Sequence, residues 1–185
     1  PSDLLCECHR EFLTTPFLGI SGRYRRRKSV VQGVVVIRRV GLSPKKGQKY
    51  RRRHGVYAIL AHGQDLLLTH QSAPWPEFQL PGGGIDPGES PLAALHREIR
   101  EETGWRVSAP RRLGAFRRFT YMPEYDLWAE KICTIYVARP VRRLGPPSEA
   151  GHLAVWMTAQ DAVDRLGNEG DALFVAQFFG LHGGR

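Results

Sequence analysis

The chain has 185 residues, a length that fits one domain, and its 42% of hydrophobic residues is enough to form a core. Its net charge of +9 is unevenly distributed, because residues 1–54 hold 14 of the 27 Lys and Arg but only 3 of the 18 acidic residues. No apolar run approaches the length that crosses a bilayer, and the first twenty residues lack a secretory segment. The three cysteines are expected to be reduced. We therefore expect a cytoplasmic protein with no membrane partner.

Residues 1–49 are predicted to form a basic extension to a domain at residues 50–185. The arginine and lysine clusters of this extension are open to two interpretations. One is electrostatic attraction to RNA or to an anionic membrane surface, which would depend strongly on salt. The other, which we favour, is a solubilising and partly disordered tail, or a segment upstream of the natural start. Residues 29–40 are predicted to form one strand, and residues 41–48 a turn-rich link.

A hairpin and a series of further elements are predicted after residue 50. Residues 56–61 and 65–70 are apolar runs separated by His62-Gly63-Gln64, a typical hairpin connection. The remaining predicted strands lie at residues 78–80, 106–109, 113–121, 131–139 and 152–157. Two helices are predicted to follow, one capped by Thr158 and a last one that opens at Asp171 and packs on the core.

A glycine run at Pro81-Gly82-Gly83-Gly84 precedes the most informative helix. Glycine lets a backbone approach an ion closely, and this run is predicted to be neither regular helix nor strand. Ser90 followed by Pro91 is a typical helix start, and Gly104 is a typical helix end. The residues predicted to share the apolar face of this helix are Leu92, Leu95, Ile99 and Thr103.

Three glutamates, Glu98, Glu101 and Glu102, lie on a neighbouring face of the same helix at positions i, i+3 and i+4. Stacked carboxylates repel one another, so the arrangement favours a hard divalent cation, which prefers oxygen ligands. Such a cation neutralises a diphosphate and lowers the pKa of a bound water, whose proton a nearby carboxylate can accept. Taken alone, the three glutamates are equally compatible with a solvated acidic helix face.

The whole segment at residues 83–105, GGIDPGESPLAALHREIREETGW, resembles the Nudix box of hydrolases that cleave diphosphates in nucleoside diphosphate derivatives. The resemblance implies Mg²⁺, with Mn²⁺ as an alternative. The cation ligands that it implies are the Gly82 carbonyl, Glu98, Glu101 and Glu102. It also implies catalytic roles for Glu98, as the general base, for Glu101 and for Arg97, which would orient a glutamate and pair in a bidentate manner with Glu89.

The same resemblance implies the fold class, an α/β protein with a Nudix-type α/β/α sandwich around a mixed central β-sheet. The residues expected to bind the substrate are Gly83, Gly84, Phe78 and Tyr121. Of Arg117 and Arg118, at most one is expected to face inward, where it could meet a phosphate. The candidates for a further metal ligand outside the helix are Glu124, Glu130 and Glu149.

We expect a nucleotide substrate, with nucleoside triphosphates, including oxidised ones, ahead of ADP-ribose. Two other classes stay open. One is a Nudix-fold module that binds a nucleotide without turnover. The other is an RNA-associated factor that uses the basic extension. A homodimer is also an open alternative.

Overall fold

The structure is a computed structural model that describes residues 37–73 and 75–181. The predicted features at residues 1–36, including the basic cluster at residues 23–28 and most of the strand predicted at residues 29–40, lie outside the described residues. The strands are β1 (Arg38–Arg39), β2 (Arg51–His62), β3 (Asp65–Gln71), β4 (Glu77–Gln79), β5 (Gly82–Gly84), β6 (Trp105–Met122), β7 (Leu127–Arg143) and β8 (His152–Thr158). The helices are α1 (Pro91–Thr103), α2 (Ala159–Arg165) and α3 (Glu169–Phe179), with a 3₁₀ turn at Pro123–Tyr125.

A single mixed sheet contains all eight strands. Its main path runs β1-β6-β7-β2-β3-β4, while β5 pairs with β2 and β8 pairs with β3. The pairs β1–β6 and β2–β7 are parallel and the others are antiparallel. The β2–β3 pair confirms the predicted hairpin, with Gly63 supplying a φ of 63° in its turn.

The two faces of the sheet bury separate hydrophobic clusters, because alternate residues of a strand point to opposite sides. Val56 and Leu60 of β2 pack with Leu95 and Ile99 of α1 on one face. Tyr57 and Ile59 pack on the other face with residues of α2 and α3 such as Ala162 and Val175. Helices therefore cover both faces, and the predicted α/β/α sandwich with a mixed sheet is confirmed.

The glycine run corrects one expectation, because Gly82–Gly84 forms the short strand β5 rather than an irregular loop. It pairs antiparallel with β2, with Tyr57 opposite Gly82. Gly82 has a φ of 139°, and a Cβ there would lie 2.1 Å from the Val56 carbonyl oxygen. Glycine thus permits an approach to β2 that a side chain would block, and the strand forms in spite of glycine's weak strand preference.

The helix α1 begins and ends as predicted. The Ser90 hydroxyl accepts a hydrogen bond from the Ala93 amide at 3.2 Å, and Gly104 ends the helix at a φ of 73°. Leu95, Ile99 and Thr103 are buried, but Leu92 is 47% exposed. Leu92 belongs to the first turn and lies outside the cluster that contains Leu95 and Ile99, so the prediction that it shares the packed face was wrong.

Two further boundaries differ from the predictions. The strands expected at residues 106–109 and 113–121 form one strand, β6, whose pairing with β7 shifts register near Ala109, where φ is 53°. Such irregularities are β-bulges that bend a strand without ending it. Helix α3 begins at Glu169 rather than Asp171, because the Asn168 side chain accepts from the Gly170 amide and caps the helix two residues earlier.

Within residues 37–73 and 75–181, no helix is both long and apolar enough to span a membrane.

Candidate active site

Two adjoining cavities form a cleft between α1, β5 and the segment that precedes β8. The outer cavity has a volume of about 460 Å³ and the more enclosed inner cavity about 210 Å³. The residues that line both are Arg53, Gly84, Glu98, Tyr125 and Glu149. Glu101 lines the outer cavity and Glu102 the inner one, so the three glutamates of α1 face one continuous space.

Arg97 links Glu89, which precedes α1, to two of the three glutamates on the helix. Its Nε and Nη2 atoms donate to the two carboxylate oxygens of Glu89 at 3.0 and 2.9 Å, which is the bidentate pair that the sequence predicts. Its Nη1 atom donates to Glu98 at 2.9 Å and to Glu101 at 3.2 Å. The pKa of Glu89 is lowered chiefly by its hydrogen bonds with Arg97. Arg97 therefore holds two of the glutamates in position from outside the inner cavity.

Glu98 lies directly against the backbone of β5. A Cβ built on Gly83 would lie 2.6 Å from the Glu98 carboxyl carbon, closer than two such atoms can approach. The side chain is only 12% exposed, and this burial raises the pKa of Glu98 while the Arg97 guanidinium opposes the rise. Glu98 is thus a fixed, largely desolvated carboxyl group at the junction of the two cavities.

Glu102 is the most deeply buried of the three glutamates. Its Oε2 atom accepts a hydrogen bond from the Gly82 amide at 2.9 Å. Burial raises the pKa of Glu102 well above its ordinary value, and the neighbouring carboxylates Glu98 and Glu149 add to the rise. A carboxyl group in this position needs a positive charge beside it to remain ionised.

Two more side chains, Glu149 and His152, complete the acidic end of the inner cavity. The segment before β8 is held on the C-terminal end of α1, because the amides of Ser148 and Glu149 donate to the Glu101 carbonyl at 2.8 and 3.1 Å. His152, the first residue of β8, places its Nδ1 atom 3.4 Å from Glu149 Oε2 and 3.8 Å from Glu102 Oε1. Sequence reasoning predicted Glu149 as a candidate ligand but missed His152, which carries no local motif.

The lining of the inner cavity also includes aromatic, basic and amide groups, and Gln71 is the strand partner of His152. Tyr57 and Lys131 line this cavity, with the Lys131 ammonium 5.8 Å from the centre of the Tyr57 ring. Burial lowers the pKa of Lys131, and Arg118 lowers it further. Gln79 donates through Nε2 to Gln71 at 2.9 Å. It donates through the same nitrogen to Glu77 at 2.7 Å, so its carbonyl oxygen is the atom that remains to accept from a ligand.

A buried acid interacts with Lys131 from within the core. Asp171, in the first turn of α3, is 2% exposed and accepts a hydrogen bond from the Leu80 amide. Burial raises its pKa to about 6, although Arg118 and Lys131 act in the opposite direction. Arg118 is therefore the arginine of the Arg117-Arg118 pair that faces inward, and it supports Asp171 in the core on the α2 and α3 side.

The structure does not bring all of the predicted residues to the cleft. Phe78 packs against His70, with ring centres 4.8 Å apart, in the core on the α2 and α3 side. Tyr121 is 42% exposed and stacks near Trp128 at 5.4 Å, in a separate depression. Glu130 pairs with Arg52 and Arg117 instead of joining the three glutamates. Glu124 does line the inner cavity.

The donor groups at the acidic end fit a divalent cation. Glu98 lines both cavities, Glu101 lines the outer one and Glu102 the inner one, and Gly82 lies on the wall of the inner cavity. Glu102, Glu149 and His152 each offer one ligand atom, and the three atoms lie within 4.8 Å of one another. Burial of several acids without an equal number of bases is unfavourable unless a cation compensates them, and hard divalent cations bind such oxygen-rich sites.

The chain matches the model of one known protein family over most of its length. A family model of the NUDIX domain matches residues 49–178. This range is well over half of the chain and includes α1, β5 and the segment that carries Glu149 and His152. The chain therefore belongs to the Nudix family, and the resemblance inferred from residues 83–105 is confirmed.

Individual sequence relatives match over shorter stretches. A Bacillus subtilis (strain 168) protein, provisionally named as an 8-oxo-dGTP diphosphatase, is 34% identical over 74 residues, which is 40% of this chain and 50% of the relative. An RNA pyrophosphohydrolase of Erythrobacter litoralis (strain HTCC2594) is 40% identical over 82 residues, which is 43% of this chain and 47% of the relative. The chain thus spans about half of the length of these two relatives.

Solved structures of similar fold support the architecture. A NUDIX hydrolase from Nitrosomonas europaea is similar with a TM-score of 0.59 at 16% identity, covering 70% of this chain and 90% of that one. A MutT NUDIX hydrolase from Burkholderia pseudomallei is similar with a TM-score of 0.55 at 21% identity, covering 69% of this chain and 98% of that one. At these identities the likeness concerns the fold.

Proposed function

We propose that the protein is a metal-dependent pyrophosphohydrolase that cleaves a diphosphate bond in a nucleoside triphosphate or a related nucleoside diphosphate derivative. The observation that carries the proposal is the convergence of Glu98, Glu101 and Glu102 on one cleft, with Arg97 holding two of them. A helix face that served only for solvation would not direct a 5% exposed glutamate, Glu102, into a cavity.

The residues that line the cleft have different roles in the proposed reaction. A divalent cation held by Glu101 and Glu102 would neutralise the phosphates and make a bound water more acidic. Glu98 would accept the proton of the attacking water, a role supported by its carboxyl group at the junction of the cavities and its hydrogen bond with Arg97. Arg53 and Lys131, which also line the inner cavity, would bind phosphate oxygens.

The exposed aromatic ring of Tyr125 and the side-chain amide of Gln79 suit a nucleobase. Tyr125 is 54% exposed and lines both cavities, and the side-chain oxygen of Gln79 is left to accept a hydrogen bond, because both protons of its amide are used by Gln71 and Glu77. A base that presents an N–H group would complete this arrangement. A nucleotide thus fits the cleft with its phosphates near the glutamates and its base near Gln79.

The test is incubation with a panel of nucleotides in the presence of Mg²⁺ or Mn²⁺, followed by chromatography of the products. The panel contains the common and 8-oxo nucleoside triphosphates and ADP-ribose. We expect a nucleoside monophosphate as one product, and no reaction after chelation of the metal. Saturable nucleotide binding without any product, under all metal conditions, would instead establish a binding module and refute hydrolysis.

A second candidate substrate is RNA that carries a 5′-triphosphate. Lys49, just before β2, and Arg51 lie on the approach to Arg53, which lines the cleft, so basic side chains that could contact a nucleic-acid backbone adjoin the site. Several relatives, including the one from Erythrobacter litoralis, are named RNA pyrophosphohydrolases.

Turnover of a triphosphorylated oligonucleotide and of a free nucleoside triphosphate at two salt concentrations separates the two candidates. If RNA is the substrate, the oligonucleotide has the higher kcat/KM at low salt, and the charge-removing double variant Lys49→Gln, Arg51→Gln abolishes that preference. If the free nucleotide is the substrate, the double variant leaves its turnover unchanged, because neither residue lines the cleft.

A further inference from the structure

His152 is a buried side chain with one imidazole nitrogen that makes no hydrogen bond within the part of the chain that the structure describes. Its side chain is 7% exposed, and its Nδ1 atom has no hydrogen-bond partner among the described residues. An unsatisfied buried nitrogen costs about 1–3 kcal/mol, so such an atom usually has a ligand. Here it is directed at two carboxylates, at 3.4 Å from Glu149 and 3.8 Å from Glu102.

The neighbouring carboxylates are arranged so that each leaves an oxygen towards His152. Glu102 uses Oε2 to accept from the Gly82 amide, and its Oε1 atom faces the imidazole. Glu149 is placed by the backbone bonds between its segment and Glu101. The three ligand atoms lie within 4.8 Å of one another. Metal–ligand bonds of about 2.1 Å would bring them to roughly 3–4 Å, which small side-chain rotations can achieve.

We propose that His152, Glu102 and Glu149 together ligate a divalent cation through one nitrogen and two carboxylate oxygens. Because imidazole nitrogen suits transition metals, whereas Mg²⁺ prefers an all-oxygen shell, the site selects Mn²⁺ or a similar transition-metal ion over Mg²⁺. The proposal rests on the proposed function in one respect, that the cation at this end of the cleft is the one that serves hydrolysis. The nitrogen ligand itself is measurable without turnover.

The experiment is electron paramagnetic resonance of Mn²⁺ added to the full-length protein. Pulsed spectra report ¹⁴N coupling from a coordinated imidazole, and the signal of free Mn²⁺ gives the dissociation constant. We expect ¹⁴N coupling in the wild type. His152→Gln should abolish the coupling and weaken Mn²⁺ binding at least about tenfold, with a smaller change in the competing Mg²⁺ affinity.

Two further variants keep the result interpretable. His54→Gln is the matched control, because His54 also lines the inner cavity, and it should retain the ¹⁴N coupling. Glu149→Gln changes a half-exposed side chain that folding should tolerate, and it should weaken Mn²⁺ binding while the coupling persists. If His152→Gln fails to fold, the wild type, His54→Gln and Glu149→Gln spectra still decide the question.

The proposal is overturned if the wild type shows no ¹⁴N coupling, which would mean that no imidazole nitrogen binds the cation. It is also overturned if the coupling survives in a folded His152→Gln variant or disappears in His54→Gln. These outcomes are independent of the proposed function. Nitrogen-ligated Mn²⁺ in a protein that turns over no nucleotide would support this inference and refute hydrolysis. Turnover with bound Mn²⁺ that shows no nitrogen coupling would support hydrolysis and refute this inference.

Discussion

Gly83 and Glu98 are in such close contact that the glycine has no room for any side chain: a Cβ at position 83 would lie 2.6 Å from both the carboxyl carbon and Oε2 of Glu98. The glycine of β5 therefore determines where the Glu98 carboxyl group lies. This relationship links a backbone feature of the sheet to the proposed general base on α1, and it can be tested directly.

Gly83→Ala should displace the Glu98 carboxyl group and lower kcat by more than about tenfold, since small displacements of a reacting group are costly. Overpacking should also reduce the free energy of unfolding by about 1–3 kcal/mol. Steady-state kinetics and urea unfolding measure the two effects. Gly145→Ala is the control, because no atom lies within 4 Å of a Cβ there. Unchanged kcat in folded Gly83→Ala would show that the Glu98 position does not matter.

Arg97→Lys should lower kcat by about tenfold, because lysine cannot make the two parallel hydrogen bonds to Glu89 while also contacting Glu98 and Glu101. The free energy of unfolding should fall by about 1–2 kcal/mol. Arg100→Lys, an exposed change on the same helix, is the matched control for kinetics and for chemical unfolding. Equal activity of the two variants would rule out a positioning role for Arg97.

Asp171→Asn should change the pH dependence of stability. Burial raises the folded-state pKa of Asp171 to about 6 from an ordinary 3.8. The folded state therefore binds more protons than the unfolded state in this interval, and the protonated acid's stabilisation is present below pH 4 and lost as the pH rises through 6. About two pKa units correspond to roughly 3 kcal/mol.

Urea unfolding of the wild type and Asp171→Asn at pH 4 and pH 7 checks this sign. The variant should gain stability relative to the wild type as the pH rises, by up to roughly 3 kcal/mol. Glu169→Gln, at an exposed position in the same turn of α3, controls for the loss of a negative charge near the helix N-terminus. A difference between wild type and Asp171→Asn that is the same at both pH values would contradict a raised pKa.

The parts of the site that the sequence predicted are those set by local spacing. Helical periodicity places Glu98, Glu101 and Glu102 near one another, and capping chemistry gives both ends of α1. The bidentate pair between Arg97 and Glu89 spans only eight residues. These features depend on contacts between residues at most eight positions apart, so they can be inferred without knowledge of the sheet.

The parts that the sequence could not predict depend on how the strands pair and on which face of the sheet each strand residue points to. Phe78 and Tyr121 were expected at the site, but their neighbours Gln79 and Met122 line the cleft instead. Successive strand residues point to opposite faces, so a one-residue difference in register reverses the assignment. His152 reaches Glu102 only because the segment before β8 lies on the end of α1, a contact that no local pattern indicates.

Hydrolysis by the α1 glutamates requires the carboxylate of Glu98, so kcat of Glu98→Gln with the best substrate of the nucleotide panel is the decisive measurement. We expect kcat to fall at least about a hundredfold while the melting temperature stays close to that of the wild type. Glu130→Gln, which changes a glutamate paired with Arg52 and Arg117, should retain the wild-type kcat. Full activity of both Glu98→Gln and Glu102→Gln would show that these glutamates do not catalyse the reaction.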